Sequence, residues 1–341
     1  MAARAVALAL CAMFLAAIAL SQDVPVPQRI REMLNARNYS GAERAIAEEL
    51  RRLPEWSTGH LLIAQIYART GRYELAERSA SAAIRQRESL DGLMLLAVAT
   101  MRLGRLNDSI SWLEQAARRH PDHAEIYKIL GLDYALGGVL RESEKAFAKA
   151  VALQPGDWEG HYYQGRTLFE LRRFREAHDA LQRAVDLNRA SVKGWTALGQ
   201  TQERLGKVEA AETSYKQALS ACENGRECAW PLLQLGFLYR TRNAPEQALA
   251  LFRRAVEARP DWARPHFHLG KELAEIGDLR AARKELEEAV KLDESRSEYH
   301  YQLGLVYRWL GEAEKASAQL ARFRALADLK SHVEVPDFAQ P

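Results

Sequence analysis

The chain is poor in the features that a catalytic or nucleic-acid-binding protein relies on. Its 341 residues hold no run of five or six like charges, and 48 Lys and Arg nearly balance 45 Asp and Glu, leaving a net charge of +3. A basic stripe able to track a nucleic-acid backbone is therefore missing. No G-x-S-x-G, H-E-x-x-H or P-loop pattern occurs, so the familiar hydrolase, zinc-protease and nucleotide sites have no sequence support. Beyond residue 21 no apolar run nears the roughly 18–20 residues that a membrane-crossing helix needs. Disorder is excluded from the other direction, because 48% of the residues are hydrophobic.

Cysteine is scarce as well. Of three, Cys11 lies in the N-terminal segment MAARAVALALCAMFLAAIALS, where Arg4 precedes an apolar run from Ala5 to Leu20. Ala19 and Ser21 stand before Gln22 as in a signal-peptidase site. Residues 1–21 therefore read as a secretory signal peptide, with an uncleaved N-terminal membrane anchor as the rival reading. Export would place the chain in a periplasm or outside the cell, and there the remaining pair, Cys222 and Cys228, reads as a disulfide. Two free thiols are the alternative. A C-x5-C pair alone supplies two of the four ligands of a zinc site, so no metal is expected.

What is present is a repeat. Leu-Gly pairs recur as Leu130-Gly131, Leu198-Gly199 and Leu235-Gly236, each followed by a turn, a small residue, an aromatic and an Ala. The eighth positions of successive units are Ala64, Ala97, Gly131, Gly165, Gly199, Gly236, Gly270 and Gly304. All steps but two are 34 residues; one is 33 and one, between Gly199 and Gly236, is 37. The three extra residues fall where Cys222 and Cys228 lie. Positions 4, 7, 8 and 11 share one helical face. A small residue at position 8 admits a close second helix. Gly71, Gly104, Gly138, Gly206, Gly277 and Gly311 suit helix C-termini, and Pro121, Pro155 and Pro260 follow the second helices.

Tyr127, Leu130, Gly131, Tyr134, Gly138, Phe147, Ala150 and Pro155 together resemble the tetratricopeptide repeat (TPR). The resemblance implies an all-α fold, a right-handed superhelical solenoid of eight to nine stacked helix-turn-helix repeats. It covers residues 57–328. A degenerate copy over 22–56, its first helix shortened by Pro25 and Pro27, precedes it, and a tail over 329–341 follows. Such proteins are non-catalytic scaffolds without cofactors, and they bind segments of other proteins in a concave groove lined by the first helices. The repeats leave no stretch large enough for a separate catalytic domain.

Histidine offers the one check on hidden chemistry. His60, His161, His266 and His300 all sit at position 4, where Tyr127 and Trp195 stand in other repeats. They read as packing residues with one nitrogen in solvent. Rotation then assigns the groove: positions 2, 5, 9 and 12 share a face about 130° from the core face. These positions hold Tyr162, Arg166, Phe169, Lys193, Gln200, Trp230, Phe237, Arg240, Phe267, Lys271, Tyr301 and Arg308. Aromatics interleaved with Arg and Lys are the usual anchors of protein interfaces. The first repeats offer Leu61, Met94, Val98, Met101 and Leu132 instead, an apolar stretch suited to a helix or to self-association. The expected function is an adaptor for protein or peptide partners, with no nucleic acid and no membrane beyond an uncleaved leader. The alternatives are a self-associating component of an envelope complex or an accessory subunit of a polysaccharide-export or secretion system.

Overall fold

The computed structural model describes residues 25–222 and 225–331, so the signal-peptide reading and most of the tail lie outside it. The described chain is all-α, and it divides into two compact units at Leu171 and Arg172. The first unit holds α1 (Gln28–Asn35), α2 (Tyr39–Arg52), α3 (Ser57–Arg69), α4 (Tyr73–Gln86), α5 (Leu90–Arg102), α6 (Leu106–Arg119), α7 (Ala124–Leu136), α8 (Leu140–Leu153) and α9 (Trp158–Glu170). The second holds α10 (Phe174–Leu187), α11 (Val192–Arg204), α12 (Val208–Ala221), α13 (Ala229–Thr241), α14 (Pro245–Ala258), α15 (Ala263–Glu275), α16 (Leu279–Leu292), α17 (Ser297–Trp309) and α18 (Ala313–Ser331).

Helix boundaries follow from the local chemistry. Asn38, Ser89, Ser191 and Asp278 accept from the backbone N–H three residues on, satisfying donors that the first turn leaves open. First helices end in a left-handed residue, and the following N–H reaches back across the turn: Arg105 to Thr100 O at 2.9 Å, Lys207 to Gln202 O at 2.8 Å. Six of these left-handed positions are the expected glycines; Arg37, Arg172 and Asn243 occupy it elsewhere, with φ of 54–60°. Asn tolerates that region, whereas for Arg it costs about 1–2 kcal/mol.

Packing within a repeat depends on position 8. A β-carbon on Gly131 would stand 2.8 Å from the Phe147 ring, on Gly199 2.5 Å from Tyr215, and on Gly236 2.5 Å from Phe252. Each large residue lies at position 24, on the second helix, and is 0–1% exposed. Paired helices thus approach until ring meets backbone. Successive repeats join the same way: α4 packs on α5 and α6 on α7 in the first unit, α14 on α15 and α16 on α17 in the second. No repeat buries its apolar face alone; stacking makes the core continuous within each unit.

Side chains tie neighbouring repeats at the rim. Tyr134 donates to Glu114, Tyr239 to Glu212 and Tyr307 to Glu287, all at 2.8 Å, each from a first helix back to the preceding second helix. In the inserted segment Cys222 and Cys228 stand with their Cα atoms 5.5 Å apart. Arg226, between them, binds both carboxylate oxygens of Asp261 in the turn before α15, at 2.6 and 2.7 Å.

Candidate functional site

First helices lie beside first helices: α3 touches α5, α7 touches α9, α11 touches α13, and α15 touches α17. This lateral contact buries more of the rotation-derived stripe than its position relative to the paired second helix suggests. In the first unit the expected apolar surface is core. Leu61, Met94, Val98 and Leu132 are all buried, and Met101 is half-buried. Tyr162 is also largely buried, at 6% exposure, its ring edge-on to Tyr163 at 5.1 Å. As a groove anchor it is corrected to a packing residue. Arg166 and Phe169 are half-buried, and an Arg166 Nη donates to the Tyr162 hydroxyl at 3.3 Å.

Position 5 of the third repeat shows the same burial with a charge. The ammonium of Lys128 is held between Glu125 at 2.9 Å and Asp157 at 3.0 Å. Position 10 faces the interior too. Asp133 is 0% exposed; one of its oxygens accepts from Ser109 at 2.5 Å, and the other has no hydrogen-bond partner among the described residues. Burial pushes its pKa up to about 7, and the Ser109 hydrogen bond opposes that only in part.

The second unit keeps the rest of the stripe. Lys193, Gln200, Trp230, Phe237, Arg240, Phe267 and Lys271 are half-buried, while Tyr301 and Arg308 are exposed. The aromatics form a connected series on α13, α15 and α17. Phe237 lies 5.5 Å from Phe252 and 4.6 Å from His268, and Phe267 stacks on Tyr299 at 4.6 Å. Trp230 sits 5.7 Å from Trp262, with the Arg264 guanidinium over its ring at 5.1 Å.

Charges thread this series. Arg240 Nε stands 2.7 Å from Glu272 Oε1, an ion pair without hydrogen-bond alignment, and an Arg240 Nη reaches Glu275 at 3.4 Å. Lys271 approaches Glu275 at 3.9 Å. Burial raises the pKa of Glu272, and Arg240 opposes the rise. His268 is neutral at physiological pH: burial, then the fields of Arg264, Lys271 and Arg240, bring its pKa down to about 3. Arg264, at position 2 of the same stripe, joins the series although it was not among the residues expected there. Rotation missed Trp309, which is 53% exposed at position 13.

The position-4 histidines correct a second expectation. Their outer nitrogens are engaged by the backbone, and at His266 and His300 the whole residue is buried. His60, His161 and His266 each bring Nε2 to 2.9–3.0 Å from the carbonyl of the proline six residues earlier, and Trp195 donates likewise to Arg189 O at 2.8 Å. Where position 4 is His or Trp, its ring N–H closes the turn between repeats.

Among the described residues no three His, Cys, Asp or Glu side chains converge as a metal site would require, and no helix is long and apolar enough to cross a membrane. The recurring hairpin, with its small eighth residue and ring-closed turn, is matched by three profiles described as tetratricopeptide repeat. One covers residues 28–91, 94–158 and 267–328, another 158–191 and the third 193–261. The chain belongs to the tetratricopeptide-repeat family. Proteins of this family serve in general as scaffolds that bind other proteins or peptides.

Solved TPR structures resemble it at low identity. A tetratricopeptide repeat protein from Parabacteroides merdae is 16% identical, with 73% of this chain and 98% of that one covered and a TM-score of 0.59. The C-terminal part of a TPR repeat-containing protein from Cytophaga hutchinsonii is 13% identical, covering 71% and 98%, also with a TM-score of 0.59. The APC/C hetero-tetramer Cut9-Hcn1 is 18% identical, covering 85% of this chain, with a TM-score of 0.54. This TPR chain spans 56% of the length of that last one. At such identities the likeness is one of fold. No curated protein matches the chain significantly.

Proposed function

We propose that this TPR protein is an exported, non-catalytic scaffold that holds segments of partner proteins against the first-helix face of its second unit. The observation that carries the reading is what remains accessible on α13, α15 and α17 after the chain has packed on itself. On α17 Tyr301 is 39% exposed and Arg308 is exposed, and on α15 Phe267 and Lys271 stay half-exposed. Aromatic rings alternating with cations are the side chains that supply most of the energy at protein interfaces. They suit an extended segment carrying acidic and aromatic groups. The lateral packing of the first helices favours the second unit over the first, whose corresponding apolar positions are consumed by the core.

The test uses charge reversal at sites that support little packing. K271E with R308E is expected to abolish capture of cross-linked partner proteins from native lysate while leaving helicity and melting unchanged. Capture of the same proteins in the same amounts by the double variant would remove this face from consideration. Export and oxidation are part of the proposal, on the strength of the apolar leader and the close cysteines. Intact mass of the chain recovered from its host reads both together: a start near Gln22 and a mass two hydrogens below the reduced form. A start at residue 1 or 2, or two free thiols, would contradict them.

A second reading, self-association, has its own support in Ile276 and Trp309, large apolar side chains 56% and 53% exposed. Light scattering separates the two, because a monodisperse monomer at micromolar concentration excludes self-association as the main role.

A further inference from the structure

His266 stands between two groups that accept hydrogen bonds. Its Nδ1 lies 2.7 Å from Glu285 Oε2 on α16, and its Nε2 lies 3.0 Å from the backbone carbonyl of Pro260 in the turn before α15. The imidazole is 8% exposed, and the carboxylate 18%. A neutral imidazole has one N–H and cannot donate to both acceptors; an imidazolium has two and can. Water has little access to make up the difference.

The neighbouring repeat holds a built-in comparison. His300 occupies the same position 4, with Nε2 3.1 Å from Glu294 O and Nδ1 2.6 Å from Gln319 Oε1. There the partner at the carboxylate's place is an amide. Turned over, that amide donates to Nδ1, and a neutral ring satisfies both ends. Only the Glu285 version demands the extra proton.

We infer that His266 is a proton-operated clamp, which as an imidazolium ties the α14–α15 turn to α16 and on losing its proton releases one of the two. The charges around it agree. From α16 both Glu285 and Glu288 face it; in the turn, Arg259 lies over the Trp262 ring at 4.9 Å and Asp261 is engaged by Arg226. Burial disfavours the cation, but the Glu285 and Pro260 hydrogen bonds together with the charges of Glu285 and Glu288 outweigh it and raise the pKa above its ordinary value. The sign follows. A histidine with a raised folded-state pKa contributes stability that is complete below about pH 6.5 and is lost as pH climbs through the folded value. The clamp fixes the first turn of α15, the helix that carries Arg264, Phe267 and Lys271. That weaker partner binding at alkaline pH follows from it rests on the function proposed above; the clamp itself does not.

The test reads the full chain without any partner. Histidine NMR of the native protein is expected to show His266 titrating above 6.5, and amide exchange in residues 267–270, the first N–H groups bonded within α15, corrected for base catalysis, to rise from pH 5.5 to pH 8.5. E285Q should lower the titration and flatten that part of the pH–stability curve. Q319E should do the reverse, adding a pH-dependent component at His300, and it serves equally if E285Q fails to fold. Titration of His266 at or below 6.5, or pH profiles that neither variant alters, would overturn the clamp. Loss of partner capture in K271E/R308E with an intact His266 titration would leave the clamp and the binding face independently judged.

Discussion

Adding one methyl group at Gly236 tests how closely these helices are packed. In an exposed helix Gly→Ala stabilises by about 1 kcal/mol, because glycine loses more backbone entropy on folding. Here the new β-carbon would lie 2.5 Å from Phe252 Cε1 and 2.9 Å from Cδ1. Phe252 is 0% exposed and has Phe237 and His268 rings 5.5 and 5.9 Å away, so it has no open side to move into. Overpacking of this kind costs about 1–3 kcal/mol. The balance is a net loss of up to roughly 2 kcal/mol. Urea unfolding followed by far-ultraviolet circular dichroism measures it, with amide exchange in α13–α16 locating the loss, since repeat arrays unfold in parts. Gly156→Ala is the control, because nothing lies within 4 Å of a β-carbon there. G236A/F252L should recover part of the deficit by shortening the ring. A G236A protein at least as stable as the wild type would refute the claim that position 8 sets the helix-to-helix distance.

Two further predictions concern single groups. Asp133→Thr places at this buried site the residue that Thr167 and Thr201 supply at the same position in the next two repeats; Thr201 satisfies its hydroxyl on Ala197 O at 2.8 Å. With the Asp133 pKa raised to about 7, the aspartate opposes folding increasingly from about pH 4 to pH 7, so the variant should gain roughly 1–3 kcal/mol at pH 8 and little at pH 4. Equal gains at both pH values would contradict that. Reduction of Cys222 and Cys228, six residues apart, should lower stability by about 2 kcal/mol in the chain-entropy model, read as a shift in the urea midpoint with and without reductant. No shift would mean that Arg226 and Asp261 hold the inserted segment unaided.

The helical hairpin was legible because its requirements fall on few residues at fixed spacing. Gly131, Gly199 and Gly236 announce close approach, and Gly104 and Gly206 announce the turn, whatever surrounds them. The candidate face was legible only in part. A helical wheel knows one neighbour, the paired second helix, and from that alone Tyr162 and Leu132 point outward. The lateral first helix, supplied by the next repeat, covers them. Position 10 was opaque for the same reason: Asp133 and Glu272 look like solvated acids until the adjoining repeat is in place. The histidines at position 4 were located correctly and their environment was not, because the carbonyl that receives Nε2 belongs to a turn whose path no periodicity describes.

The tyrosine-to-glutamate ties have a mechanical consequence. Tyr134, Tyr239 and Tyr307 each reach back a single step, so within either unit a load applied at one hairpin passes to the next through one joint at a time. Severing one joint softens a single articulation and leaves the others stiff. A chain linked in this manner accepts the loss or duplication of a whole hairpin far more readily than the loss of half of one.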